Sequence, residues 1–215
     1  MSRPSGILLA GGASRRFGRS KVLEPVDGAP LFHRPLRALL GSCDDVVIVL
    51  APGGPELPLP DGADRVSFAR DDVEYEGPLA GTRVGLEHVR RETAVLVAAD
   101  MPGVSSRLLS LMAERATGTG GKAIVLRDAE GPRPLPAVLL VAPALALART
   151  LLERGERRLR ALVDGLEPDG LPEAVWSGED ASGAWRHDVD LPGDLHKGPS
   201  YAVVGSRRSK ARPMS

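Results

Sequence analysis

Cysteine is almost missing from this chain. Its 215 residues include one, Cys43, which excludes an internal disulfide framework and any zinc site built from several cysteines. Aromatic residues are scarce, at 3%, so the core has to be built from Leu, Val and Ala. Net charge is absent too: 28 basic and 28 acidic residues cancel, and the globally basic surface of a nucleic-acid binder is not indicated. Long apolar runs are lacking. The longest uncharged stretch, Pro134 to Ala148, is interrupted by Pro136 and Pro143 and falls short of the about 20 residues that span a bilayer. At the N-terminus only Gly6-Ile7-Leu8-Leu9 precedes a pair of glycines, too little for the core of a signal peptide. These absences predict a cytoplasmic protein with neither nucleic acid nor membrane as partner. A chain of this length buries roughly 70% of its extended surface on folding, so it needs no staple.

Glycine and proline, in contrast, are plentiful, with 25 and 19 residues. The glycines matter most in the stretch Leu9-Ala10-Gly11-Gly12-Ala13-Ser14-Arg15-Arg16-Phe17-Gly18-Arg19-Ser20-Lys21. It follows an apolar run that reads as a first strand. A glycine-rich turn at a strand end lets backbone N–H groups approach an anion, and the basic residues neutralise it. Two familiar phosphate loops are excluded by spacing. Gly18 is followed by Arg19 and Ser20 before Lys21, which is not a P-loop, and adjacent glycines followed by arginines are not a dinucleotide turn. The compact ammonium of Lys21, on its flexible stem, suits a point contact to phosphate.

Strand-like and helix-like segments alternate after that loop. Strands are predicted at Ile7–Leu9, Asp45–Leu50, Arg65–Ala69, Ala94–Ala99, Ala123–Leu126 and Ala137–Val141, with helices at Leu31–Leu40, Gly81–Arg90, Ser105–Ala116 and Ala144–Arg154. The runs at 45–50 and 94–99 are continuously apolar, as in strands buried on both faces of a parallel sheet. The alternation predicts a Rossmann-like three-layer α/β/α fold with a mostly parallel central sheet over residues 1–195. Residues 196–215, basic and without acidic side chains, read as a tail. In such sheets ligands bind beyond the carboxyl ends of the strands. Asp100 sits at that end of the 94–99 strand, where a carboxylate needs a partner or a metal.

The loop resembles the L-A-G-G-x-S-x-R-M-G-x-x-K signature of the nucleotidyltransferases that guanylylate the molybdenum cofactor, with Phe17 in place of Met. Later segments extend the resemblance over roughly Gly6 to Leu195. Gly77-Pro78-Leu79-Ala80-Gly81 matches a G-P-L-A-G segment, and Arg133–Val138 resembles a P-L-P-A-V-Y strand with Leu139 replacing Tyr. Gly155–Leu159 resembles a G-x-R-x-L turn, and Asp188-Val189-Asp190-Leu191-Pro192 lies where the family has N-x-N-T-P or D-x-D-T-P, with Leu191 replacing Thr. The resemblance implies a nucleotide site formed by Leu9, Ala10, Gly11, Gly12, Lys21, Asp71, Gly77, Pro78, Leu79, Gly81 and Asp100. Lys21, Arg16 and Asp100 would be its catalytic residues. Mg²⁺ would be held by Asp100 and by Asp71, with Asp72 as the alternative second acid, and Asp188 and Asp190 would face the pterin.

The implied reaction transfers GMP from GTP to the terminal phosphate of molybdopterin or its molybdenum-loaded form and releases pyrophosphate. Molybdenum-insertion proteins and recipient molybdoenzymes would be further partners. One departure concerns the base. Family members can carry an Asn after the second long strand, whereas Leu50-Ala51-Pro52 offers no such side chain. Two other functions fit the loop: nucleotidyl transfer from CTP to the same pterin or to a sugar or alcohol phosphate, and nucleotide binding without catalysis. The single cysteine and the four histidines suggest no nucleophile–base pair.

Overall fold

The computed structural model describes residues 2–11, 21–70 and 77–189. Along the chain the strands are β1 (Ser5–Leu9), β2 (Pro25–Val26), β3 (Ala29–Pro30), β4 (Asp45–Leu50), β5 (Val66–Arg70), β6 (Thr93–Ala98), β7 (Ala123–Asp128), β8 (Gly131–Leu140) and β9 (Asp169–Leu171). The α-helices are α1 (His33–Ser42), α2 (Pro78–His88), α3 (Ser106–Thr119), α4 (Val141–Glu153), α5 (Leu159–Gly165) and α6 (Glu173–Trp176). Seven strands form one sheet in the order β5-β4-β1-β6-β8-β7-β9, and β2 and β3 pair separately. β8 runs antiparallel to β6 and β7, while the β5-β4-β1-β6 half and the β7–β9 pair are parallel. Apolar layers lie on both faces. One contains Leu36, Leu39, Leu108 and Met112 from α1 and α3; the other contains Leu79, Val84, Ala144 and Leu162 from α2, α4 and α5. The sandwich is the α/β/α arrangement expected from the alternation. Among the described residues no helix is long and apolar enough to cross a membrane.

Three features position the site. First, the chain steps from β1 outward to β4 and β5, then returns to β6 on the other side of β1. The strand order therefore reverses at β1/β6, where crevices open in such sheets. Second, the registers Leu9↔Val49 and Leu9↔Ala98 bring the carboxyl ends of β1, β4 and β6 level. Third, helices press close to these strands through glycine. A Cβ on Gly85 of α2 would lie 2.5 Å from Ile7 Cγ2 of β1.

Local differences from the sequence reading have physical causes. Asp27 and Gly28 both have positive φ, +50° and +80°, and form a two-residue hairpin between β2 and β3. The helix then starts at His33 rather than Leu31. Pro35 is tolerated because it lies in the first turn, whose N–H groups have no intrahelical acceptor. β8 begins at Gly131, before the predicted Ala137. It pairs with β6 only from Ala137 onward, and its register against β7 shifts between Val125 and Arg127. Pro134 and Pro136 occupy the stretch where ladder donors are not needed.

Candidate functional site

The centre of the site is an ion pair between residues 79 positions apart. Lys21 Nζ lies 2.7 Å from Asp100 Oδ2, both side chains mostly covered. Each half is held by its own local structure. Lys21 opens a short 3-10 turn, Lys21–Leu23. That turn is stitched to the hairpin and the entry of α1: Glu24 N–H donates to Lys21 C=O, Leu31 N–H to Glu24 C=O, and Phe32 N–H to Val22 C=O. Asp100 follows β6. On one side of it Ala99 N–H donates to Leu9 C=O at 3.0 Å; on the other, Met101 N–H donates to Ala98 C=O at 3.3 Å. Val189 N–H donates to the Asp100 carbonyl itself at 3.0 Å. The last bond brings the segment containing Asp188 beside the Asp100 turn. The next helix, α3, offers Ser105 or Ser106 in sequence as its cap, and Ser105 takes the role, its Oγ accepting from Leu108 N–H at 3.2 Å.

The glycines have structural reasons of their own. Ala10 N–H donates to Val49 C=O at 2.9 Å, so that amide belongs to the sheet. A Cβ on Gly11 would stand 2.9 Å from the Ala51 amide nitrogen and 3.2 Å from the Leu50 carbonyl carbon. Gly11 is thus glycine because the main chain after β1 crosses the main chain after β4. The Ala51–Gly54 turn beneath it is closed by Gly54 N–H on Ala51 C=O. Arg70, at the end of β5, donates through Nη1 to the Gly54 carbonyl at 3.0 Å and the Ala51 carbonyl at 3.4 Å. Nothing in the sequence singled out Arg70.

Gly77 caps α2 with φ +85° and ψ 177°, a conformation essentially restricted to glycine. A Cβ there would lie 2.9 Å from the Arg157 carbonyl oxygen, which also accepts from Leu79 N–H at 3.3 Å. The first turn of α2 is therefore seated on the turn after α4. That turn is organised by Glu156, whose Oε1 accepts from the amides of Arg157 and Arg158 at 2.8 and 2.9 Å, while Oε2 accepts from Arg158 Nη2 at 2.7 Å. The Arg158 hydrogen bond, then the two amides, hold the Glu156 carboxyl down at about 2. Gly77–Gly81 and Gly155–Leu159, two motifs far apart in sequence, are one contact. Gly81 packs a hypothetical Cβ 3.5 Å from Leu9 Cδ2, at the floor of the site.

Of the candidate residues, the structure brings Leu9, Ala10, Gly11, Lys21 and Asp100 to the carboxyl ends of β1 and β6, with Asp188 adjoining. Gly77, Pro78, Leu79 and Gly81 stand at the neighbouring N-terminus of α2. Gly12, Arg16, Asp71, Asp72 and Asp190 lie outside the described residues. Among the described residues no group of three His, Cys, Asp or Glu side chains could hold a metal by itself. A divalent ion held through one or two carboxylates together with substrate phosphates needs no such all-protein cage. Asp100 offers such a carboxylate at the strand end.

Comparison with known proteins follows the same outline. Residues 6–169 match the family described as MobA-like NTP transferase domain. A Chloroflexus aggregans protein named "Probable molybdenum cofactor guanylyltransferase" is 33% identical over 205 residues, 92% of this chain and 94% of its own. A Natronomonas pharaonis protein of the same name is 34% identical over 207 residues, covering 92% and 97%. Among solved structures, molybdopterin-guanine dinucleotide biosynthesis protein A from Archaeoglobus fulgidus superposes with a TM-score of 0.73 at 21% identity, over 90% of this chain and 95% of that one. The 2-C-methyl-D-erythritol 4-phosphate cytidylyltransferase of Thermus thermophilus gives 0.62 at 18% identity, over 89% and 95%. At such identities the superpositions bear on the fold alone.

Proposed function

This chain belongs to the MobA-like NTP transferase family and is a nucleotidyltransferase, and on that premise we propose that it transfers GMP from GTP to the terminal phosphate of molybdopterin, with or without bound molybdenum. The observation that carries the chemistry is the Lys21–Asp100 pair at the β1/β6 crevice. Relatives of the stated name, at 33% and 34% identity over nearly the whole chain, supply the substrate class.

The reaction joins two anions. An oxygen of the acceptor phosphate bonds to the α-phosphorus of GTP, the α–β bridging bond breaks, and pyrophosphate leaves in line. Repulsion and geometry are the obstacles, and neither needs a covalent nucleophile. The acceptor oxygen is already ionised, so no general base is required. Lys21 and Asp100 neutralise each other before substrate arrives. On binding, the Lys21 ammonium exchanges the Asp100 carboxylate for the β- and γ-phosphates, where it offsets the charge that develops on the leaving pyrophosphate. Arg16 would add positive charge to the same group, and the Leu9–Gly12 backbone would help to hold it. The exchange frees Asp100, which with Asp71 or Asp72 would hold Mg²⁺. A divalent ion held there would supply Lewis-acid stabilisation of phosphate charge. Gly77–Gly81, free of bulky side chains at its ends, would take the base and ribose, and Asp188 and Asp190 the pterin. In this chain, without an Asn after β4, guanine recognition needs another route, and the Gly77–Gly81 main chain would offer one.

Pyrophosphate release with GTP, CTP or UTP, Mg²⁺ and molybdopterin tests the reading, with the dinucleotide identified by mass. The expected result is a GMP-linked product from GTP at a rate well above that from CTP. A cytidylylated product would reassign the base, and pyrophosphate release that ignores molybdopterin would reject the acceptor.

A further inference from the structure

In the same apolar layer as Val22, two buried tryptophans and a charge cluster beside them have no part in the reaction described above. Trp176 and Trp185 meet edge to face, ring centroids 5.4 Å apart at 87°, and Trp176 Nε1 donates to the Arg127 carbonyl of β7 at 2.9 Å. The Arg186 guanidinium carbon lies 4.7 Å from the Trp176 ring centroid and 5.5 Å from that of Trp185. Its nitrogens lie 3.6 Å from Asp128 and 3.5 Å from Glu173, and Asp128 also accepts from Arg133 Nε at 2.8 Å. A planar cation stacked on aromatic faces and flanked by carboxylates is a rigid anchor that Lys does not reproduce.

What is anchored is the segment Ala184–Val189, and it touches the reaction centre twice. A Cβ on Gly103 would stand 2.0 Å from the Ala184 carbonyl oxygen, so the two backbones are in direct contact with no room for a side chain. Five residues later Val189 N–H donates to the Asp100 carbonyl. The strap therefore spans the Asp100-Met101-Pro102-Gly103 turn from its last residue to its first. Ala99 N–H, bonded to Leu9 C=O, ties the same turn to the sheet from the inside. The Asp100 main chain is pinned between sheet and strap. The strap also carries Asp188.

From this arrangement we infer that Arg186 is a positioning residue for transfer, acting through the strap to fix Asp100 and Asp188. The inference rests on the role given to Asp100 above. Reaction geometry is sensitive to small misplacements of such groups, so loosening the strap lowers turnover without unfolding the protein.

The test compares full-length wild type, R186M and R186K by amide hydrogen exchange and by kinetics. A cation–π contact worth about 0.5–2 kcal/mol corresponds to an increase of about twofold to thirtyfold in exchange at the Val189 amide. R186M should show that increase, with β1 and β4 amides unchanged. Its kcat should fall and its Mg²⁺ activation constant should rise, while KM for GTP at saturating metal stays near wild type. R186K, which keeps charge without the stacking plane, should fall between the two. D128N removes one of the two anionic partners of Arg186 and should loosen the same amide, which keeps the test available if R186M does not fold. Unchanged Val189 exchange in R186M, or a uniform loss of protection across the sheet, would overturn the inference. Because exchange needs no substrate, a wild-type enzyme inactive with GTP and molybdopterin would reject the proposed function and leave Arg186 still decided by the amide.

Discussion

Gly77→Ala carries the sharpest prediction, because two independent costs meet at one atom. The first is conformational: φ +85° with ψ 177° costs a residue with a Cβ about 1–3 kcal/mol. The second is steric. The new Cβ would sit 2.9 Å from the Arg157 carbonyl oxygen, and that oxygen cannot retreat without loosening its bond from Leu79 N–H and the Glu156-capped turn behind it. Overpacking against an unyielding neighbour adds about 1–3 kcal/mol. The sum is about 2–6 kcal/mol, and at roughly 2–4 °C per kcal/mol for a domain of this size it lowers Tm by about 4 °C or more. Urea denaturation with far-ultraviolet circular dichroism measures it. Gly118→Ala is the matched control. Gly118 lies within α3 at ordinary helical φ, and nothing stands within 4 Å of a Cβ there. The same chemical change should therefore stabilise by up to about 1 kcal/mol. A Gly77→Ala variant as stable as wild type, or one that loses nucleotide affinity at unchanged stability, would refute the argument that this glycine serves the α2–turn contact.

Lys21→Ala should weaken triphosphate binding by about 1.5–3 kcal/mol, the value of one charged hydrogen bond, as titration calorimetry would show. Asp100→Asn should abolish most turnover in a protein that remains folded by circular dichroism; near wild-type rates would remove Asp100 from the site. Cys43 is fully buried, and burial pushes its thiol up to about 11 against a smaller lowering by the Ser42 hydrogen bond. The native protein should resist thiol reagents at pH 8 and react with one equivalent on unfolding. Since the folded value lies above the unfolded one, the stability contribution of the neutral thiol is intact below about pH 8.5 and is lost as pH rises through about 11.

Those predictions draw on both levels of information. The uninterrupted apolar runs of β4 and β6 were legible as buried parallel strands because both faces of such a strand are covered. Ser105 was legible as a cap because its hydroxyl answers a local need. The β2–β3 hairpin turns on Asp27-Gly28, between strands of two residues each, too short for alternation to show. β9 and α5 are too short for periodicity to reveal, and the antiparallel course of β8 depends on partners distant in sequence.

For the site, sequence alone determined the kinds of group available: a glycine-rich turn, a lysine after it, and an acid ending an apolar strand. These follow from local chemistry, which side-chain type and spacing encode directly. Tertiary structure decided how they are used. The Lys21–Asp100 pairing follows from the reversal of strand order at β1/β6, a global property of the sheet. The crossing of backbones at Gly11 and Ala51, the seat of Gly77 on Arg157, and the strap from Arg186 to Asp100 join residues that no spacing rule connects. Contacts of this kind are set by packing between layers, and packing is a property of the whole fold.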